Sequence, residues 1–88
     1  MKTEFKSSFI KDLKKVKSDK LKQQLLDVIA QIETSKSMTE LDHMKKLRGA
    51  DNYYRIRIGN YRLGLKVVND VVIVIRFMDR KDIYRYFP

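Results

Sequence analysis

The amino-acid sequence predicts an α+β fold, with an N-terminal helical hairpin packed on a small antiparallel β-sheet in the order β-α-α-β-β-β. Three observations predict it. Apolar residues recur at helical spacing through the first half of the chain. From Tyr53 onward the period falls to two. Gly59-Asn60 and Asn69-Asp70 then punctuate the apolar runs where hairpin turns belong. At 88 residues, without a linker or a low-complexity tract, the chain reads as one domain over 1–88. A chain of that size buries only about 60–65% of its unfolded surface, so its core is lean.

The opening "KTEF" reads as a short strand. Ser7 or Ser8 is placed to cap a helix beginning near Phe9, where Phe9, Leu13 and Val16 share a face and lysines fill the others. "KSD" at 17–19 interrupts the pattern. A second helix follows over 20–33, with Leu21, Leu25, Val28, Ile29 and Ile32 as its apolar stripe. "TSKS" is a loop. Ser37-Met38-Thr39-Glu40 matches a capping box, and Leu41, Met44 and Leu47 follow at i, i+3, i+6, so a short third helix ending at Gly49 is expected. "YYRIRI", "YRLGLKVV" and "VVIVIRFM" are three strands. The tail, "DRKDIYRYFP", fits either a helical turn or a final short strand.

If Gly59-Asn60 is a two-residue loop, Ile58 faces Tyr61, Arg57 faces Arg62, Ile56 faces Leu63, Arg55 faces Gly64 and Tyr54 faces Leu65. Opposed residues share a sheet face. One face is then apolar, made of Tyr54, Ile56, Ile58, Tyr61, Leu63 and Leu65. The other holds Arg55, Arg57, Arg62 and Lys66, with a gap at Gly64, and these two strands bring it no acid. Arginine directly opposite arginine is a local cost. Rule-breaking of that kind tends to sit at functional sites, and the guanidinium fork matches phosphate oxygens. For the third strand, a two-residue turn at Asn69-Asp70 puts Ile73, Ile75 and Phe77 on the arginine face and Val72, Val74 and Arg76 on the core face; a one-residue change inverts that parity.

The net charge of +9 implies an anionic partner. Cysteine is absent, which excludes disulfides, cysteine nucleophiles and Cys-based zinc sites. The first fifteen residues carry charges every few positions and do not form a signal peptide, and no run of apolar residues approaches the length of a membrane span. A cytoplasmic location and no membrane partner are expected. In the tail, arginines beside tyrosines suit RNA: rings stack on unpaired bases while cations hold the backbone.

From Met44 to Phe87, "MKKLRGADNYYRIRIGNYRLGLKVVNDVVIVIRFMDRKDIYRYF", the chain resembles the C-terminal half of the RelE/ParE superfamily, the toxins of bacterial type II toxin–antitoxin systems. The resemblance lies in a leucine and glycine before the sheet, a "YR-x-R-x-G-x-YR" hairpin, and a hydrophobic strand ending in Arg-x-x-x-Tyr. The preceding helices and opening strand extend it over nearly the whole chain. It implies a toxin that is an endoribonuclease of the RelE branch, cutting mRNA on the ribosome without a metal or other cofactor, and held by a cognate antitoxin in a hetero-oligomer. In that reaction the 2′-OH attacks the adjacent phosphorus and the 5′-oxygen leaves. Carried over, the basic strand positions fall on Arg55 and Arg57, the arginine after the turn on Arg62, and the late arginine and tyrosine on Arg80 and Tyr84. Where many relatives have "G-H-R", this chain has Met78-Asp79-Arg80. Two alternatives accompany this reading: a ParE-like gyrase poison, and a non-catalytic nucleic-acid-binding relative.

The chemistry assigns roles within that set. Cleavage needs proton transfer at the 2′-OH and the leaving oxygen, and a cation for the phosphorane's charge. The one histidine, His43, belongs to the helical half as a surface or interhelix residue, so a His/His pair is excluded. Arginine does not give up a proton readily. The catalytic residues expected are therefore Arg62 and Arg80, clamping phosphate, and Tyr84, transferring a proton. Arg55, Arg57, Lys66, Lys81 and Arg85 are expected to bind RNA phosphates.

Overall fold

The computed structural model describes residues 1–37, 41, 44–49 and 51–88. Its elements are β1 (Lys2–Phe5), α1 (Ser7–Lys15), α2 (Asp19–Thr34), β2 (Met44–Lys46), β3 (Tyr53–Ile58), β4 (Tyr61–Val68), β5 (Val71–Asp79) and α3 (Arg80–Tyr86). The fold is α+β. The strands form one five-stranded sheet in the order β1-β5-β4-β3-β2. It is mixed rather than purely antiparallel, because β1 runs parallel to β5.

The helical hairpin forms where the apolar stripes place it. Phe9 and Val16, with Leu25 and Ile32 from α2, join Ile56, Ile58, Leu63, Leu65, Val72, Val74 and Phe77 in one core. The "KSD" break supplies the α2 cap: the Leu21 N–H donates to Ser18 Oγ at 3.2 Å. Neither Ser7 nor Ser8 caps α1. The N-cap position is Lys6, without a side-chain cap. Ser8 lies inside the helix, and its hydroxyl donates to the Ile75 carbonyl at 2.6 Å.

The β3–β4 register matches the predicted one at every pair from Tyr54↔Leu65 to Ile58↔Tyr61. Gly59 has φ +57, the left-handed value that the first central residue of a II′ turn requires. Asn69 and Asp70 both have positive φ, as in a I′ turn.

Two further expectations are corrected. No helix forms over Met44–Lys46, which is instead a strand antiparallel to β3. Spacing of i, i+3, i+6 over three apolar residues fits a helix, but pairing with β3 satisfies the backbone of both segments. Gly49 lies in a turn with φ +72 and does not cap a helix. The capping box runs into residues 38–40, and His43 also lies outside the described residues. The second correction concerns β5. Leu65 pairs with Val74 and Gly64 with Arg76, so Ile75 is an extra residue in a β-bulge. Parity inverts there: Val72 and Val74 face the core as expected, but so does Phe77, while Arg76 joins the arginine face opposite Gly64. The tail, open in the sequence between a helical turn and a short strand, is helical over Arg80–Tyr86. Asp79 caps α3 by accepting from the Lys81 N–H at 2.9 Å.

Beyond Phe5, the free edge of β5 is covered by α1. Asp12, only 4% exposed, accepts from the Phe77 N–H at 3.0 Å and from Arg76 Nη2 at 3.0 Å. Arg76 Nε lies 2.9 Å from the same carboxylate, though its N–H is not aimed at it. Removing that carboxylate strands a buried strand N–H and a half-buried guanidinium. Asp12→Ala is expected to cost about 3 kcal/mol of stability, measured by urea unfolding. A loss below about 1 kcal/mol would show that Asp12 is not what closes this edge.

Candidate nucleic-acid interface

Strand alternation sends Arg55, Arg57 and Arg62 to the sheet face opposite the helical hairpin, because their neighbours Ile56, Ile58 and Leu63 are buried in the core. The short strand β2 continues the same alternation. Met44 pairs with Ile56 and packs on the core, so Lys45, paired with Arg55, turns to the basic face. α3 then lies across β4 and β5 and brings Tyr84 over β3.

The result is a depression of about 320 Å³ lined by Lys45, Arg55, Arg57, Arg62 and Tyr84. The Arg55 guanidinium carbon lies 4.7 Å from the centre of the Tyr84 ring, in cation–π contact. Tyr84 is nevertheless 68% exposed, so its other face and its hydroxyl are open to a ligand. Arg62 stands directly opposite Arg57, yet its direction is set by the turn. Nη1 donates to the Gly59 carbonyl at 3.1 Å and to the Tyr61 carbonyl at 2.9 Å. Those bonds hold its charge in place before any anion arrives.

Of the residues singled out in the sequence, Arg55, Arg57, Arg62 and Tyr84 are brought together here. Arg80 lines a neighbouring depression with Arg57, Arg62, Asn60, Gln24 and Asp27, so the two hollows share a pair of arginines. Lys66 sits at the other end of the hairpin, its Nζ 5.1 Å from the Tyr53 ring. Lys81 and Arg85 are exposed on α3 and line neither hollow. The sequence does not single out Lys45, because the apolar spacing around it reads as a helix; its signal is the short alternation Met44-Lys45 next to a strand edge. Among the described residues, no three His, Cys, Asp or Glu side chains cluster as a metal site, and no helix is long and apolar enough to cross a membrane.

Fold and site together define a class: small basic α+β proteins with a helical hairpin on one sheet face and a cationic hollow, bearing a tyrosine from the C-terminal helix, on the other. Comparison with known proteins narrows it. A family model described as the ParE toxin of a type II toxin–antitoxin system matches residues 3–84. Toxin RelE3 of Methanocaldococcus jannaschii is 43% identical over 89 residues, covering the whole of both chains. Solved structures share the fold, two toxin–antitoxin complexes among them. One is the RelB–RelE antitoxin–toxin complex from Methanococcus jannaschii, at TM-score 0.81 and 42% identity, covering 97% of this chain and 99% of that one. The other is the intact RelBE toxin–antitoxin complex from Escherichia coli, at TM-score 0.65 and 26% identity, covering 89% and 94%. The chain belongs to the RelE/ParE family of type II toxins, on the RelE-like side.

Proposed function

We propose that this toxin is an endoribonuclease that cuts mRNA at the ribosome and so stops translation. The observation that carries the reading is the convergence of Lys45, Arg55, Arg57, Arg62 and Tyr84 on one hollow. A phosphodiester seated there meets the anchored Arg62 guanidinium, with Arg80 closing on it from the adjoining hollow. Arg55 and Arg57 hold the flanking phosphates, with Lys66, Lys81 and Arg85 as outlying contacts. The 2′-oxygen then bonds to phosphorus as the bond to the 5′-oxygen breaks, leaving a 2′,3′-cyclic phosphate and a 5′-hydroxyl. The arginines stabilise the charge gathering on the phosphorane. The Tyr84 hydroxyl relays the proton lost by the 2′-OH to the departing 5′-oxygen, and its ring stacks on a neighbouring base. The chemistry uses side chains alone, with no metal or other cofactor. A reaction on ribosome-bound mRNA places the protein in the cytoplasm.

Purified toxin added to translating ribosomes is expected to produce discrete new mRNA ends. Intact mRNA would overturn the reading. The family description as a ParE toxin favours a second reading, poisoning of gyrase. Inhibited supercoiling with intact mRNA would establish that one, and unaffected supercoiling with intact mRNA would leave a non-catalytic binder.

The partner follows from the relatives solved with RelB. A cognate antitoxin joins this toxin in a hetero-oligomer, through an extended segment that carries Asp or Glu for the arginine face together with a few apolar anchors. The exposed side chains of Phe5, Ile10 and Leu26 line an apolar trough where such anchors seat. Attraction to a +9 chain is screened beyond about 8 Å at physiological salt, so the association rate is expected to fall steeply as salt rises. A flat salt profile would contradict this mode of neutralisation.

A further inference from the structure

Four residues form one continuous row across the exposed sheet face: Lys45 on β2, Arg55 on β3, Gly64 on β4 and Arg76 on β5. Arg76 belongs to the row only because the bulge skips Ile75, whose carbonyl is held by Ser8. The end of the chain meets three of these positions with three aromatic rings. Tyr84 lies on Arg55 and Tyr86 over Arg76, at 4.7 and 5.7 Å from guanidinium carbon to ring centre. Between them, Phe87 fills the notch at Gly64. It is only 6% exposed and makes an edge-on contact with Tyr53 at 5.6 Å between ring centres.

We propose that the Arg55–Gly64–Arg76 row is a cradle that docks α3, and that Gly64 and Phe87 are positioning residues for Tyr84. The reason is steric. Gly64 does not have a left-handed φ, so its backbone does not require glycine. What excludes a side chain is the Phe87 ring: a Cβ at position 64 would lie 2.8 Å from two ring carbons and 2.9 Å from a third. Real Cβ atoms do not approach so closely, so a single methyl group must lift Phe87. Three residues earlier, Tyr84 rides on the same short helix, and it has no comparable burial of its own. Ile83, fully buried, keeps α3 near the sheet, so the expected change is a shift of the helix rather than its loss. Displacement by about 1 Å is enough to cost about 10²-fold in a positioned reaction.

This inference rests on the proposed ribonuclease reading for its kinetic effect but not for its geometric one, and the test separates them. Gly64→Ala and Phe87→Ala are made in the wild-type chain and in Tyr84→Phe. Each is expected to lower the single-turnover cleavage rate of ribosome-bound mRNA about 10²-fold, with affinity for RNA little changed. On the Tyr84→Phe background the further loss is expected to shrink to a few fold, because the position of a missing hydroxyl no longer matters. A purely destabilising role would instead multiply the two losses. By NMR, the Arg55 side-chain resonances are expected to lose the ring-current shift imposed by Tyr84. Full additivity, or a folded Gly64→Ala with wild-type rate and an unchanged Arg55 shift, would overturn the proposal. Should Gly64→Ala fail to fold, Phe87→Ala, which only removes atoms, decides on the same terms. If the wild-type protein cuts no RNA, the ribonuclease reading fails, and the Arg55 shift alone then decides whether the cradle holds Tyr84.

Discussion

Cells expressing Arg62→Ala are expected to grow normally, although the variant folds as well as the parent. Arg62, like Arg57, lines both hollows, and the turn carbonyls fix its direction. On the proposed ribonuclease reading, alanine removes a preorganised charge from the place where negative charge would develop, a loss worth about 10²–10³-fold in rate. The structural cost is small. The Gly59 and Tyr61 carbonyls that lose a donor lie at a hairpin end open to water, and Arg57 is relieved of a like charge directly opposite. Thermal unfolding should therefore show an unchanged or slightly raised midpoint. A folded Arg62→Ala that still arrests growth would remove this residue from the site.

Tyr84→Phe is expected to lower the cleavage rate by about 10²–10⁴-fold while RNA and ribosome binding barely change. Phenylalanine keeps the ring that stacks on Arg55 and leaves α3 in its dock, so the change isolates the hydroxyl. The side chain is mostly exposed and, among the described residues, no hydrogen bond to the hydroxyl is observed, so stability should be unaffected. Unimpaired cleavage by Tyr84→Phe would reduce the tyrosine to a stacking platform, and proton transfer would have to be assigned elsewhere in the hollow. Lys45, the one ammonium lining it, is the group to examine next.

The parts of the fold legible in the sequence were those fixed by local pattern. The α1 and α2 stripes, the Gly59 turn and the alternation of Arg55, Ile56, Arg57 and Ile58 each follow from neighbours a few residues away. That was enough to put three arginines on one face and to pair Arg57 with Arg62. The rest depends on contacts distant along the chain. Met44–Lys46 is a strand only because β3 offers an edge, and three residues are too few for either period to declare itself. The bulge at Ile75 leaves no local mark, yet it moves Phe77 into the core and Arg76 out of it. Asp12 reads as one acid among helix lysines until α1 is laid along the open edge of β5. Gly64 reads as a gap among cations, and only the docked α3 shows that Phe87 fills it.

On the proposed reading, this basic face cuts RNA by attack of the ribose 2′-oxygen. Ribosomes programmed with an mRNA carrying one 2′-deoxy nucleotide on the 5′ side of the cleaved bond test it most directly. The all-ribose message is expected to yield a 2′,3′-cyclic phosphate and a 5′-hydroxyl, and the single deoxy substitution is expected to abolish cleavage at that bond. Cleavage of the deoxy-substituted bond, or a 5′-phosphate on the downstream fragment, would contradict it.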